Sequence, residues 1–529
     1  MEYTELAAYR LHAGHVTTWT PTATTSTADS GDAWAVDPRP LSCNHEAHVA
    51  EALAAGPAAN PAANPAASDT SSDASDPRGD NWIGTAFRIH HTFDAEVFAA
   101  TLRAWMVRHE AYRTTAVAGT VGDSAVEDPA LHRRTLPADA VDVTSRSVGH
   151  LADAASVREV LERHFATEVS ALQWPHLTVA TVGPDAEAPD DSLGSQDGPW
   201  FTVVFAADHA VMDAYTQIVS IAELREIYAA ELAGRCPELS LAGSHVDYSR
   251  VERELADELT VEHPVVQRWR DFLGRCDGTP PALALAATPA APEASGAPEP
   301  LQVSTSVWLL GEVDATVFGQ LAKSYGGSQV TGLLAALKVA VARADRTGVC
   351  GDALRYVMPM HTRTSPEFAL SAGWFVGLMP VEDPMPRGAD FSEAVAATTA
   401  AVKANRDVVA HPYPRVAELL GVTRPPRFVV SYVDTRFIPG ADDWTPHDRT
   451  LRAVARSASD VYVWVVRTRA GVNISMRYPD DRVTREAVRA LIAEYFAVLH
   501  SVVDTGDASS EPFEVPFEVP TTPVAVSEG

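Results

Sequence analysis

Residues 200–214, WFTVVFAADHAVMDA, restrict the fold of this chain more than any other stretch. A short, almost wholly apolar run stops at Asp208-His209, and Asp213 stands four residues beyond the histidine. Such a run reads as a strand. Behind it, YTQIVSIAELREIYAAEL (215–232) places apolar residues at helical spacing. A strand that carries a histidine at its tip and turns into a helix fixes the backbone and exposes the ring, which suits a base presented to a cavity.

The rest of the chain divides around this stretch by composition. Its 529 residues are enough for two or more cores. Residues 1–80 read as an N-terminal arm whose tract 57–79, beginning PAANPAANPAASDTSSDASDP, is too small and polar to offset the entropy of ordering. A first lobe spans 81–278. It opens with the strand WIGTAFRIHHTF and a helix over 94–114, with Asp94 near its start and Phe98, Leu102, Trp105 and Met106 on its apolar face. Further strands fall within 131–150 and at 177–183, helices at 156–169 and 263–276. The strand LTVATVG and the 200–207 run pair as a hairpin across a long acidic loop.

A Pro/Ala-rich linker, 279–300, leads to a second lobe, 301–505, and a flexible tail, 506–529. The second lobe reads as strand 301–310, helices 314–326 and 329–344, strand 354–360, helix 390–406 and strand 426–434. A hairpin across Arg469-Ala470-Gly471 and a helix at 484–503 complete it. Two similar α/β lobes with a cleft between them are the simplest architecture for this order, and the hairpins favour mixed or antiparallel sheets.

Composition removes several classes of function. No apolar run reaches the roughly 18–20 residues that cross a bilayer. The start, MEYTELAAYR, shows neither a basic n-region nor an apolar h-region, so no secretory signal is expected. Cys43, Cys236, Cys276 and Cys350 are scattered without a CxxC pair, as in a reduced cytoplasmic protein. A net charge of −29 argues against nucleic acid as a partner.

His209 heads the residues that can carry chemistry. A neutral imidazole with a reference pKa of about 6.5 can take a proton from a hydroxyl or amine as it attacks. The bare HxxxD spacing leaves a general base, a structural histidine and a metal ligand all open, though no HExxH or third ligand accompanies it, so no metal is expected. Asp213 is equally suited to bracing the loop, against an arginine from elsewhere or at the start of a helix. No serine or cysteine occupies a nucleophile elbow, and no Gly-rich phosphate loop is present. A direct attack, with the oxyanion held by backbone amides or a hydroxyl, is the pathway this leaves. His109 reads as structural. His361-Thr-Arg363 and His411-Pro-Tyr413-Pro are open between cleft-lining and structural roles, with Arg363 suited to anchoring a carboxylate.

Taken together, these residues resemble a known family. DHAVMDA is similar to the HHxxxDG signature of the condensation-domain and coenzyme A-dependent acyltransferase superfamily. RHEAYRT (108–114), SAGWFVGLMPV (371–381), HPYPRVAELLG (411–421) and PRFVVSYVD resemble its other segments, in the same order over about residues 80–505. With WTPTA near the start and SYVDTRF followed by VNISMRYPD, the chain looks most like the polyketide-synthase-associated acyltransferases that acylate trehalose or related glycolipids. The resemblance implies two chloramphenicol-acetyltransferase-like lobes around a tunnel. It makes His209 the catalytic base and Asp213 the structural aspartate.

On this resemblance Trp374, Gly377, Tyr413 and Ser431 are expected to line the substrate path, with Asp208 and Arg363 supporting the site. The expected reaction moves a long acyl chain from a thioester to a hydroxyl of trehalose or another alcohol. The donor is a carrier-protein phosphopantetheine or coenzyme A thioester, with no resident cofactor. An amide-forming condensation enzyme with separate carrier proteins and a non-catalytic carrier-binding scaffold are the alternatives. A carrier protein or polyketide synthase and a sugar or alcohol acceptor are the expected partners of a monomeric, cytoplasmic protein, with peripheral attachment at the membrane's inner face or to a lipid exporter as an option. Three departures stand out: Asp208 replaces the signature's first histidine, Ala214 its glycine, and Gly377 an asparagine.

Overall fold

In the computed structural model, which describes residues 2–24, 33–55, 82–119, 131–184, 198–283, 299–345, 351–385 and 390–508, the apolar runs pair into three sheets. The tract 57–79, most of the acidic loop, most of the linker 279–300, Cys350 and the tail beyond 508 lie outside the described residues.

The largest sheet has seven strands. Its order is Tyr3–Glu5, Arg449–Arg452, Trp82–Ile89, Phe201–Asp208, Leu177–Pro184, Gly14–Ala23 and Val141–Leu151. Every neighbour pair is antiparallel except the first, which is parallel. The predicted long hairpin is present, with Leu177 opposite Ala207 and Val182 opposite Thr202.

The strand Phe201–Asp208 is buried along its whole length. Phe201, Val203 and Phe205 pack with Phe98, Trp105 and Tyr228 from the helices Ala95–Arg108 and Ala214–Ala233. Val204 and Ala206 face the opposite way, against Leu161 and Phe165 of the helix Ala154–Glu168. A strand covered on both faces takes few polar residues until it ends, which is why the run is almost wholly apolar and stops abruptly. Asp94 caps the helix Ala95–Arg108 by accepting from the amides of Glu96 and Val97, and its predicted apolar face is buried.

The second sheet has six strands, in the order Gln302–Gly311, Gly471–Pro479, Val461–Thr468, Phe428–Asp434, Ala353–His361 and Val376–Pro384. Its pairings mix parallel and antiparallel. The helices Gln329–Ala344 and Arg482–Thr505 pack together with it in one core, joined by the Tyr495 hydroxyl donating to the Leu333 carbonyl at 3.0 Å. A small third sheet joins Ala35–Asp37, Leu131–Thr135 and Thr114–Ala118.

The sheets do not follow the compositional divisions throughout. Gly14–Ala23, from the expected arm, is an inner strand of the first sheet, hydrogen-bonded on both edges. Arg449–Arg452, from beyond the linker, crosses to pair with Trp82–Ile89. No helix among the described residues is long and apolar enough to cross a membrane.

Candidate functional site

The buried strand ends at Asp208, and His209–Val211 make a single 3₁₀ turn before the helix Ala214–Ala233. Both aspartates of this segment tie it down. Asp208 accepts from the amide of Ala210 at 2.8 Å. Asp213 caps the helix, and its Oδ1 accepts from the amide and the hydroxyl of Thr216, both at 2.8 Å.

Arg363, from just past the end of the strand Ala353–His361, donates to both oxygens of Asp213 at 2.7 and 3.0 Å. The amide of Phe375 also donates to Oδ2, at 3.0 Å. Ion pair and carboxylate are both buried. Burial raises the proton affinity of such a carboxyl, but Arg363 and the Thr216 donors outweigh it and hold Asp213 below the usual range. With its oxygens engaged in this way, Asp213 serves geometry: it locks the turn of the first lobe onto a loop of the second. The carboxylate that Arg363 anchors is thus the chain's own.

His209 is half-buried and lies on the indole of Trp374, the ring centroids 4.1 Å apart and tilted by 33°. Its Nδ1 is buried. Burial pushes the ring's proton affinity down, and the nearby His48 pushes the same way. Its own backbone carbonyl and the carboxylates of Asp213 and Asp208 pull back without cancelling the effect. The imidazole is therefore biased toward the neutral form, the one able to accept a proton.

His48, on the helix Cys43–Ala55, had no place among the expected site residues. Its Nε2 lies 3.0 and 3.2 Å from the two oxygens of Asp208, and its ring meets Trp374 edge-on at 5.6 Å. Burial opposes charge on His48, yet Asp208 outweighs it and holds the ring above its ordinary range. In return His48 and the Ala210 amide overcome burial at Asp208 and hold that carboxyl at about 2. The one hint available in the sequence is Asp208 itself, since a carboxylate at the tip of a buried strand needs a cation from somewhere.

Next to the turn lies a cavity of about 360 Å³. Asp213, Ala214 and Tyr215 line it from the first lobe, and Met358, Ser431 and Trp464 are among its walls from the second. His209 and Trp374 are not among its lining residues. His361 is exposed at its edge.

Of the four residues expected along the substrate path, Ser431 lines the cavity and Trp374 underlies His209. The other two are not among the cavity's lining residues. Gly377 is buried in the strand Val376–Pro384, where a Cβ would lie 1.9 Å from the carbonyl oxygen of Val409. Its glycine is demanded by close packing. Tyr413 is buried in a satellite core against Trp269, centroids 4.5 Å apart, because the helix Tyr413–Leu420 turns its apolar face there.

Ala214 is the first residue of a regular helix, so no left-handed backbone calls for glycine at that place. His109 bridges Glu223, 2.7 Å from Nε2, and the amide of Ala372, which donates to Nδ1 at 3.3 Å. It is a structural histidine that supports the 371–375 loop. His411 lies beside His263, centroids 5.2 Å apart, away from the cavity. Among the described residues no three His, Cys, Asp or Glu side chains are grouped as metal ligands.

No family model matches the chain. It is 28% identical over 315 residues to the acyltransferase PapA3 of Mycobacterium tuberculosis, covering 58% of this chain and 64% of that protein. The 2'-acyl-2-O-sulfo-trehalose (hydroxy)phthioceranyltransferase PapA1 of Mycobacterium bovis is 25% identical over 361 residues, 66% of this chain and 64% of its own length. The trehalose-2-sulfate acyltransferase PapA2 of the same organism is 27% identical over 361 residues, 66% of this chain and 70% of its own length. The chain thus spans under two thirds of the length of the first of these relatives.

Among solved structures, a PapA2 acyl transferase superposes with a TM-score of 0.74 at 20% identity, covering 95% of this chain and all of that one (100%). The condensation domain of the Monacolin K polyketide synthase MokA gives 0.60 at 16% identity, over 81% of this chain and 94% of its own. The resemblance read from the segments is upheld: the relatives are PapA acyltransferases, and the fold is that of PapA2 and the condensation domains.

Proposed function

We propose that this protein is an O-acyltransferase that moves an acyl chain from a thioester to a sugar or alcohol hydroxyl, with His209 as the general base. The observation that carries this reading is the neutral-biased imidazole at the strand tip, laid on Trp374, in a segment whose Asp213 lines an apolar-walled cavity. Nδ1 is the buried ring nitrogen, which leaves Nε2 for the substrate.

In the proposed reaction His209 takes the proton of the acceptor hydroxyl as its oxygen attacks the thioester carbonyl carbon. The new C–O bond forms, the C–S bond breaks, and the departing sulfur takes the proton from the imidazolium, so the enzyme ends unchanged. No enzyme nucleophile is acylated in this scheme. The Asp213–Arg363 pair keeps the histidine turn in register with the second lobe while this occurs.

For the acceptor, the relatives' names point to trehalose esters and sulfated trehalose, and a trehalose glycolipid or related alcohol is the acceptor we assign. For the donor, the fold shared with condensation domains supports a thioester on a carrier protein, with coenzyme A as the other source of the same bond. Intact-product mass spectrometry with trehalose, other alcohols and amines offered against several acyl thioesters tests this directly. Ester products are expected. Amide products alone would replace the reading with a condensation enzyme, and carrier binding without thiol release would replace it with a scaffold.

A further inference from the structure

The helix Cys43–Ala55 lies far from the histidine turn in sequence and against it in space. Its first residues are pinned on two sides. The Asn44 side chain donates to the Val376 carbonyl of the second lobe at 2.8 Å, and the Cys43 amide donates to Glu252 at 2.6 Å. Arg253 pairs with Glu46, and Val49 is buried with Leu41 and Ala116. A helix held in this way presents His48 to Asp208 as a fixed group, not as a surface side chain that happens to reach it.

Asp208 is almost completely buried, and its other contact is one backbone amide. A carboxylate there without a cation would cost several kcal/mol. His48 fills that need and at the same time borders the indole on which His209 lies. Trp374 is consequently held between two histidines, one from an N-terminal helix and one from the strand tip.

We propose that His48 is a positioning residue of the acyl-transfer site: as a cation on Asp208 it fixes the Asp208–His209 turn and the Trp374 indole beneath the base. The proposal rests on the reading of His209 as that base. The second consequence is electrostatic. A fixed positive charge near the His209 ring keeps it free to accept a proton, and offsets the Asp208 carboxylate one residue away. Other charged or titratable groups around the turn are His176 just before the neighbouring strand, Asp213 at the helix cap, Arg363 from the second lobe, and His45 and Glu51 on the helix of His48.

The test is a histidine-resolved NMR titration of the full-length protein, alongside the pH profile of kcat/KM. In the unaltered protein His48 is expected to titrate above its ordinary value of about 6.5. A value below that overturns the proposal whether or not any variant folds. In His48→Gln the cation is lost and Asp208 is bared, so both the His209 titration and the acid limb of kcat/KM should move up by about one pH unit. Replacing both partners, His48→Gln with Asp208→Asn, leaves no unpaired charge and should bring the limb most of the way back. A folded His48→Gln protein with an unmoved His209 titration contradicts the proposal and leaves the base in place. Full turnover by His209→Ala removes the base itself, and is read separately.

Discussion

His209, the proposed base, owes its bias toward the neutral form to where its ring sits. Burial and the facing His48 both disfavour the imidazolium, so the protonated form is lost below the ordinary histidine range of about 6.5. The acid limb of kcat/KM should therefore fall below pH 6.5, with activity flat through neutrality. A limb at pH 7 or above would contradict the assignment. The His48–Asp208 pair also has a pH window of its own. Asp208 binds its proton more weakly folded than unfolded, so its contribution to stability is present above its ordinary 3.8 and is lost as pH falls toward about 2. His48 binds its proton more tightly folded, so its contribution is full below about 6.5 and is lost as pH rises through its raised value.

The same residues show what a sequence exposes and what it hides. His209 and Asp213 are legible because five consecutive residues, 209–213, carry the pattern. Arg363 was recognisable as a cation at a strand tip, and its partner, Asp213, stands in the pattern itself. His48 was not legible, because its partner lies 160 residues away and nothing local distinguishes it from any helical histidine.

At the scale of elements, the legible part is again the local part. Helices with caps and periodic apolar faces fall close to their predicted bounds: 329–344 is the same, and the predicted 484–503 extends to Arg482–Thr505. Strands that exist only through distant partners were missed. Arg449–Arg452 is four residues long and has no pattern of its own, yet its ladder to Trp82–Ile89 sets one edge of the first sheet's centre. Gly14–Ala23 reads as polar threonines and a proline until the strands on both sides cover it.

Gly377 belongs to this scale too. The strand Val376–Pro384 can lie against the segment Arg406–Ala410 only while no Cβ intrudes on the Val409 carbonyl. Gly377→Ala should destabilise the protein by about 1–3 kcal/mol, read from the shift in a denaturant midpoint. An unchanged midpoint would show that the two segments separate freely, and that the close approach does not matter.

For the molecule as a whole, the site is an agreement between two lobes. The first supplies the histidine turn and its cap, the second supplies Arg363 and the Trp374 loop, and the cavity is walled by both. Arg363→Ala leaves the Asp213 carboxylate buried without its cation, which should cost roughly 3–5 kcal/mol of stability. Thermal or denaturant unfolding measures this, and a loss under 1 kcal/mol would mean that the pair does not join the lobes energetically. Two lobes with mixed sheets followed from the order of elements, whereas the strand that crosses from one to the other did not, since crossing is a property of the assembled chain.

The central claim is that one imidazole moves the proton in acyl transfer. Thiol release and ester formation from an acyl thioester, measured for the unaltered protein and for His209→Ala at matched thermal stability, tests it most directly. The expected result is a drop in turnover of about 10²–10⁴-fold with an unchanged melting temperature. Equal turnover by the two proteins would contradict it.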